Sequence, residues 1–193
     1  MRTVYVVTHP EATHHVEGVV GGWHDSQLTP AGHRAAASIA EALRARIPAG
    51  AEVELFSSDL RRTRQTAEKV AELFGVKAIH ESSVQPPPAA GERLEHDEGV
   101  AGAETKAALA RRIYAAMDQI VQRPCDNQII VTHGGSLTFV VASWIKMPIR
   151  AVGHASFLAP SGSITTLRED DCFHNRTVVH LGDIRHLSSA ATG

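Results

Sequence analysis

The stretch "VYVVTHPEATHH" (residues 4–15) carries an apolar run, Val4 to Val7, that stops at Thr8-His9-Pro10. A second stretch, "IIVTHGGS" (residues 129–136), ends in the same way: Ile129 to Val131 are apolar, then Thr132, His133, Gly134 and Gly135 follow. Short runs in which every position is an apolar β-former read as strands buried on both faces. Two such strands ending in Val-Thr-His place both histidines at strand ends. If the strands are parallel neighbours, the two imidazoles meet in one pocket.

The segments between these stretches read as alternating helices and strands. Residues 8–28 are rich in Gly, His and Asp and read as a long loop. "LTPAGHRAAASIAEALRARIPAG" (residues 28–50) opens a helix at an N-cap Thr29, with Pro30 at its first position and Pro48 and Gly50 to end it. Residues 53–56 form a second strand, and Ser57-Ser58-Asp59 caps a helix that runs to Gly75. Residues 76–79 form a third strand, and residues 82–103, with three consecutive prolines, read as irregular loop. Residues 104–122 form a helix with Leu109, Ile113, Met117, Ile120 and Val121 on one face. Residues 128–131 are a strand backed by the helix "GSLTFVVASWI", and "SFLA", "SITTLRE" and "TVVHLGD" read as late, shorter strands.

Strands alternating with helices predict an α/β fold: three layers, α/β/α, around a mostly parallel central sheet. The chain of 193 residues, 43% hydrophobic and 21% charged, suits one domain spanning residues 1–193. A net charge of −2 gives no global field to recruit nucleic acid or an acidic membrane. Cys125 and Cys172 are far apart and outside any Cys-x-x-Cys pattern, which argues against a disulfide framework or zinc knuckle. The start lacks a signal-like pattern and no apolar run reaches the ~18 residues of a membrane span, so a reducing cytoplasm is the expected compartment. Twelve histidines against five Phe, two Tyr and two Trp are the unusual count.

In open α/β sheets ligands bind beyond the carboxyl ends of the strands. Three strand ends here carry chemistry: Thr8-His9, Ser57-Ser58 leading to Arg61 and Arg62, and Thr132-His133. A neutral imidazole is a competent nucleophile towards phosphorus when a second group holds its other nitrogen. Phosphoryl transfer otherwise needs donors and positive charge around the phosphoryl oxygens. An arginine fork and the N–H groups at a His-Gly-Gly helix start supply both. A metal hydrolase is the weaker competitor, because the sequence has no His-x-His or His-Glu-x-x-His pattern and His14-His15 would diverge on a strand.

Here the sequence resembles a known family. "GWHDSQLTPAGHRAA" (residues 22–36), "SSDLRRTRQTAE" (57–68), "VTHGGSL" (131–137) and the tail "NRTVVHL" are similar to stretches of the histidine phosphatase superfamily, which includes the phosphoglycerate mutases. The resemblance implies a phosphoglycerate mutase-like fold and a metal-independent phosphomonoesterase that needs no cofactor. His9 falls at the phosphate-accepting histidine, Arg62 at the phosphate-clamping arginine and His133 at the second pocket histidine. Thr8, His15 and Gly134 fall at substrate-binding positions; Arg61 and His14 are expected at the surface. The implied partner is a small phosphorylated substrate. A second copy of the chain, as a homodimer, is compatible with this; nucleic acid and membrane are not implied.

Departures from the family pattern bear on activity. Thr8-His9-Pro10 stands where the family has Arg-His-Gly, so one arginine of the clamp is absent and His15 replaces an asparagine. Losing a charge-assisted pair costs ~1.5–3 kcal/mol, or roughly ten- to hundredfold in rate. The family's general-acid glutamate has no clear match: Glu81 comes early, and Glu92, Glu95, Asp97 and Glu98 are the candidates in a stretch that looks short by a loop. The alternative is therefore a catalytically weakened phosphoester-binding relative. A mutase is the lesser expectation, because the chain lacks room for long insertions.

Overall fold

The computed structural model of the protein describes residues 1–86 and 104–188. β1 (Arg2–Thr8) leads through the single turn α1 (Thr13–Val16) to the long α2 (Pro30–Arg46). β2 (Val53–Ser57), α3 (Arg61–Phe74) and β3 (Ala78–His80) follow, then a 3-10 turn at Ser82–Val84. α4 (Lys106–Val121), β4 (Asn127–Thr132), α5 (Gly134–Trp144) and α6 (Ile149–Val152) come next. β5 (Ile164–Glu169), β6 (Arg176–Asp183) and α7 (Arg185–Ser188) complete the described elements.

The strands form one six-stranded sheet in the order β3-β2-β4-β1-β5-β6. The first four of these are mutually parallel, and β5 runs antiparallel to both β1 and β6. The sheet is therefore mostly parallel, as expected, with its antiparallel part at one edge. Pleating sends successive side chains to opposite faces. Val4, Val6 and Ile130 pack with Leu109, Ile113, Met117 and Leu137 of α4 and α5. Tyr5, Val7, Ile129 and Val131 pack with Ile39, Leu43, Ala67 and Val70 of α2 and α3. Strands apolar on both faces thus sit between two helical layers.

Two helix boundaries follow local chemistry. Thr29 caps α2, its hydroxyl accepting from Gly32 N–H at 3.0 Å, and α3 ends at Gly75 in the left-handed region with φ 67°. Three expectations need correction. Residues 8–28 are not all loop: α1 forms within them, and Ala12 bridges Leu28. Ser57, Ser58 and Asp59 do not cap α3; its first N–H, from Arg61, donates instead to Asp25 Oδ1 at 2.6 Å. The reason is competition, since the Ser57 hydroxyl bonds the Ser58 carbonyl at 2.8 Å and the Ser58 hydroxyl is taken by His133. "SFLA" is not a strand: β5 already occupies the position beside β1, and Phe157 N–H donates to Thr138 Oγ1 at 3.0 Å.

The repeated Val-Thr-His is explained by register. Thr8 pairs directly with Thr132 across the β1–β4 ladder, so His9 and His133 leave the sheet side by side. His9 N–H donates to the Thr132 carbonyl at 3.0 Å, and Ser58 N–H to the Val131 carbonyl at 3.0 Å. Three adjacent strands therefore deliver their end residues to one crevice.

Candidate active site

His9, Arg62 and His133 are 6%, 1% and 3% exposed, and the His9 and His133 ring centroids lie 5.2 Å apart. Their hydrogen bonds decide where the protons are. His9 Nδ1 faces the Pro10 carbonyl at 2.9 Å, and a carbonyl only accepts, so Nδ1 carries the proton. Arg62 Nε–H donates to His9 Nε2 at 3.1 Å, so Nε2 holds the lone pair. Pro10, whose ring nitrogen has no N–H to give, thus still orients the imidazole through its carbonyl.

Arg62 is held on several sides. Nη1 donates to the His24 carbonyl at 2.6 Å and to Ser26 Oγ at 3.4 Å. Nη2 donates to the Gly22 carbonyl at 2.7 Å. The loop supplying these carbonyls is fastened by Trp23 Nε1, which donates to the Pro86 carbonyl at 2.9 Å. Burial pulls the Arg62 guanidinium down to about 10, with nearby Asp25 opposing, and it remains charged at neutral pH. Arg61 is exposed, as expected.

Burial, and then the Arg62 charge, hold His9 well below the ordinary histidine range. His133 is held well below it by burial, then by His9 and Arg62. Both imidazoles are therefore neutral near pH 7. His133 Nε2 lies 2.9 Å from the Ser58 hydroxyl, while its buried Nδ1 makes no hydrogen bond among the described residues. Gly134 and Gly135 open α5 next to it, where first-turn N–H groups have no partner within the helix.

His15 stacks on His9 with centroids 5.5 Å apart and planes at 15°. The Ala12 N–H donates to His15 Nδ1 at 3.1 Å. The neutral ring therefore keeps its proton on Nε2, a donor suited to an anion. His14 is not at the surface. It is buried, 5.7 Å from His9 and 4.0 Å from His15 by ring centroids, and its Nδ1 lies 2.6 Å from Ser26 Oγ. The reason is α1: a helical turn folds this pair back over His9, where a strand would have sent one of them outward. Its signal in the sequence was the adjacent pair itself, undecidable without the turn.

His9, His14 and His15 bring one ligating atom each within 4.8 Å of one another. The set suits a metal poorly. His15 spends its lone pair on Ala12 N–H, and the Arg62 cation touches His9.

Thr8 corrects an expectation. Its hydroxyl donates to the Pro160 carbonyl at 2.7 Å and accepts from Ser163 N–H at 3.1 Å, with only 2% of the residue exposed. Its donor is committed to the turn before β5 and is not offered to a ligand. Of the carboxylates considered as acids, Glu92, Glu95, Asp97 and Glu98 lie outside the described residues. Glu81 accepts from Ser83 N–H at 2.9 Å as the cap of the 3-10 turn.

Fold and site together define an α/β protein whose parallel strands gather imidazoles and one buried guanidinium into a single crevice. The chain belongs to the histidine phosphatase superfamily (branch 1), whose family model matches residues 4–85 and 79–183. The two matched stretches meet just after β3, where the sequence looked short. A protein from Yersinia enterocolitica named "probable phosphoglycerate mutase GpmB" is 25% identical over 99% of this chain and 97% of its own length. Length therefore does not separate this chain from proteins bearing the mutase name. Among solved structures, a mycobacterial glucosyl-3-phosphoglycerate phosphatase in complex with VO3 superposes with TM-score 0.78 at 21% identity, over 95% of this chain and 100% of that one. A phosphoserine phosphatase mutant from Entamoeba histolytica, bound to phosphoserine, gives 0.76 at 19% identity, covering 97% and 100%. The α-ribazole phosphatase of Shigella flexneri gives 0.78 at 18% identity, covering 94% and 96%. Among the described residues no helix is long and apolar enough to cross a membrane.

Proposed function

We propose that the protein is a metal-independent phosphomonoesterase that forms a phosphohistidine on His9 Nε2. The observation that carries this is the tautomer of His9: its lone pair is on the nitrogen that faces the Arg62 guanidinium. The phosphoryl group enters between these two. A P–N bond forms to Nε2 as the ester P–O bond breaks, and the departing alkoxide takes a proton from solvent water, which the proton lost by the water that attacks in the second step restores. Water then attacks phosphorus, the P–N bond breaks, and inorganic phosphate leaves with Nε2 again a lone pair. Arg62 Nε–H passes from Nε2 to a phosphoryl oxygen in the first step, so it gains a charged acceptor where charge matters most. His15 Nε2–H and the Gly134 N–H are further donors, and His133 Nδ1 becomes one if Ser58 donates to its Nε2.

A specific observation supports a second reading, a phosphoester-binding relative with weak turnover. Thr8 supplies no donor, and Arg62 gives hydrogen bonds to the carbonyls of Gly22 and His24, so phosphate must compete for part of the fork. The phosphatase names of the similar structures favour the first reading, and the mutase name of the relatives marks a third.

The test is to mix the protein with p-nitrophenyl phosphate, quench, and look for an acid-labile, alkali-stable phosphate on His9. Steady release of p-nitrophenol, unaffected by chelator and abolished in His9→Ala, is expected. Saturable binding of the ester with no phosphohistidine and no release above the His9→Ala rate would leave the binding relative. Activity lost on chelation would overturn both.

A further inference from the structure

Among the described residues, the partners of the two Arg62 Nη groups all come from residues 22–26: the Gly22 carbonyl, the His24 carbonyl and the Ser26 hydroxyl. That loop in turn rests on His14 at three points. Val19 N–H donates to the His14 carbonyl at 3.0 Å. Gly21 lies against the His14 ring, where an added Cβ would stand 2.7 Å from Nε2 and 2.8 Å from Cδ2. Ser26 Oγ lies 2.6 Å from His14 Nδ1. The reaction steps proposed above give this buried imidazole no part.

The protons can be followed along these contacts. A guanidinium only donates, so Ser26 Oγ accepts from Arg62 Nη1. The hydroxyl keeps its own proton, and the acceptor within its reach is His14 Nδ1. Burial, then the neighbouring His15 and Arg62, lower His14 to about 4, so near pH 7 the ring is neutral and has a lone pair to offer. The bonds then run one way, from the guanidinium through Ser26 to the imidazole. Hydrogen bonds in such a chain polarise one another, which makes a donating hydroxyl the better acceptor. This counts most where the Nη1 contact to Ser26, at 3.4 Å, is the longest that Arg62 makes here.

Resting on the phosphohistidine reading, we infer that His14 is a positioning residue: through the Ser26 hydroxyl, and through the loop seated on its ring, it aims the Arg62 fork so that Nε–H points at His9 Nε2, where the phosphoryl group enters. With the Thr8 donor committed to the Pro160 carbonyl, the direction of this guanidinium matters the more.

The test compares His14→Leu, His14→Asn, Ser26→Ala and the double variant His14→Leu/Ser26→Ala. Asn is smaller than His but keeps an acceptor near the place of Nδ1, whereas Leu fills the space and accepts nothing. The first readout is kcat/KM for p-nitrophenyl phosphate. His14→Leu and Ser26→Ala should each lose ~tenfold, short of the ~hundredfold that a 1 Å misplacement can cost. His14→Asn should recover at least about threefold of the His14→Leu loss, and the double variant should lie within about twofold of Ser26→Ala, because the two act through one bond. The second readout is the ¹H–¹⁵N resonance of Arg62 Nε–H in the unliganded protein. It should move in His14→Leu and in Ser26→Ala. An Asn variant no better than Leu, losses that multiply in the double variant, or an unmoved Arg62 resonance overturns the positioning role and leaves a His14 that only fills space. Wild-type turnover no faster than His9→Ala, with the Arg62 resonance moving as stated, sinks the phosphatase reading and leaves the positioning of Arg62 standing.

Discussion

Lowering the pH from 7.5 to 5 should destabilise this protein through its own active site, and His14 allows the size of the effect to be worked out. Burial, and then the neighbouring His15 ring, lower His14 from 6.5 to about 4. In the unfolded chain it titrates at its ordinary ~6.5. Between those values the unfolded state binds more protons than the native state, so stability is full above pH 6.5 and falls as pH drops through the window. At 1.36 kcal/mol per unit, His14 alone removes about 2 kcal/mol by pH 5 and about 3 kcal/mol by pH 4. His9 and His133 are lowered by burial too, and act in the same direction. The paired carboxylate Asp183 also loses stability on acidification, but its window lies at or below the ordinary 3.8 of an aspartate. The assay is urea unfolding, followed by tryptophan fluorescence at pH 7.5 and 5.0, of the wild type and His14→Asn. The wild type should lose about 2 kcal/mol more than the variant across that interval. Equal losses, within about 0.5 kcal/mol, would refute a buried neutral His14.

The other expectations are separate. Thr8→Val removes three hydrogen bonds with the turn before β5, to the Pro160 carbonyl and to the Ser163 N–H and hydroxyl, so urea unfolding should show a loss of at least about 2 kcal/mol while KM for p-nitrophenyl phosphate stays within about twofold. A large rise in KM would return Thr8 to the substrate. Gly32→Ala would bring a Cβ to 2.0 Å from the Glu11 carbonyl oxygen, so a melting temperature lower by about 6–12 °C is expected, from ~3 kcal/mol of overpacking; an unchanged melt would show that the approach of α2 to the segment between β1 and α1 yields freely. Ser58→Ala leaves His133 Nε2 without its partner. A fall of about tenfold in kcat, with imidazole ¹⁵N shifts that move for His133 and not for His9, is expected; unmoved shifts would mean that Ser58 does not orient this ring.

Much of the fold was legible in the sequence because its signals are local. Val4–Val7 and Ile129–Val131 are apolar at every position, and only a strand covered on both faces satisfies that. Thr29-Pro30 and Gly75 mark helix ends through backbone chemistry that reaches no further than four residues. The repeated Val-Thr-His and the Arg62 motif pointed to His9, Arg62 and His133 on the same grounds. What only the tertiary structure decided is how these groups are satisfied. Thr8 bonds a carbonyl 152 residues away, and that commits its hydroxyl donor to the turn before β5. Asp25, 36 residues from Arg61, takes the cap that Ser57-Ser58-Asp59 was expected to supply. The carbonyls of Gly22 and His24 hold a guanidinium about 40 residues further on, and α1 turns His14 inward onto Ser26. Such bonds join segments whose separation has no period and whose residue types fit many partners. A hydroxyl or an arginine can be read from the sequence, but the acceptor it faces is chosen when the sheet brings distant loops to one edge.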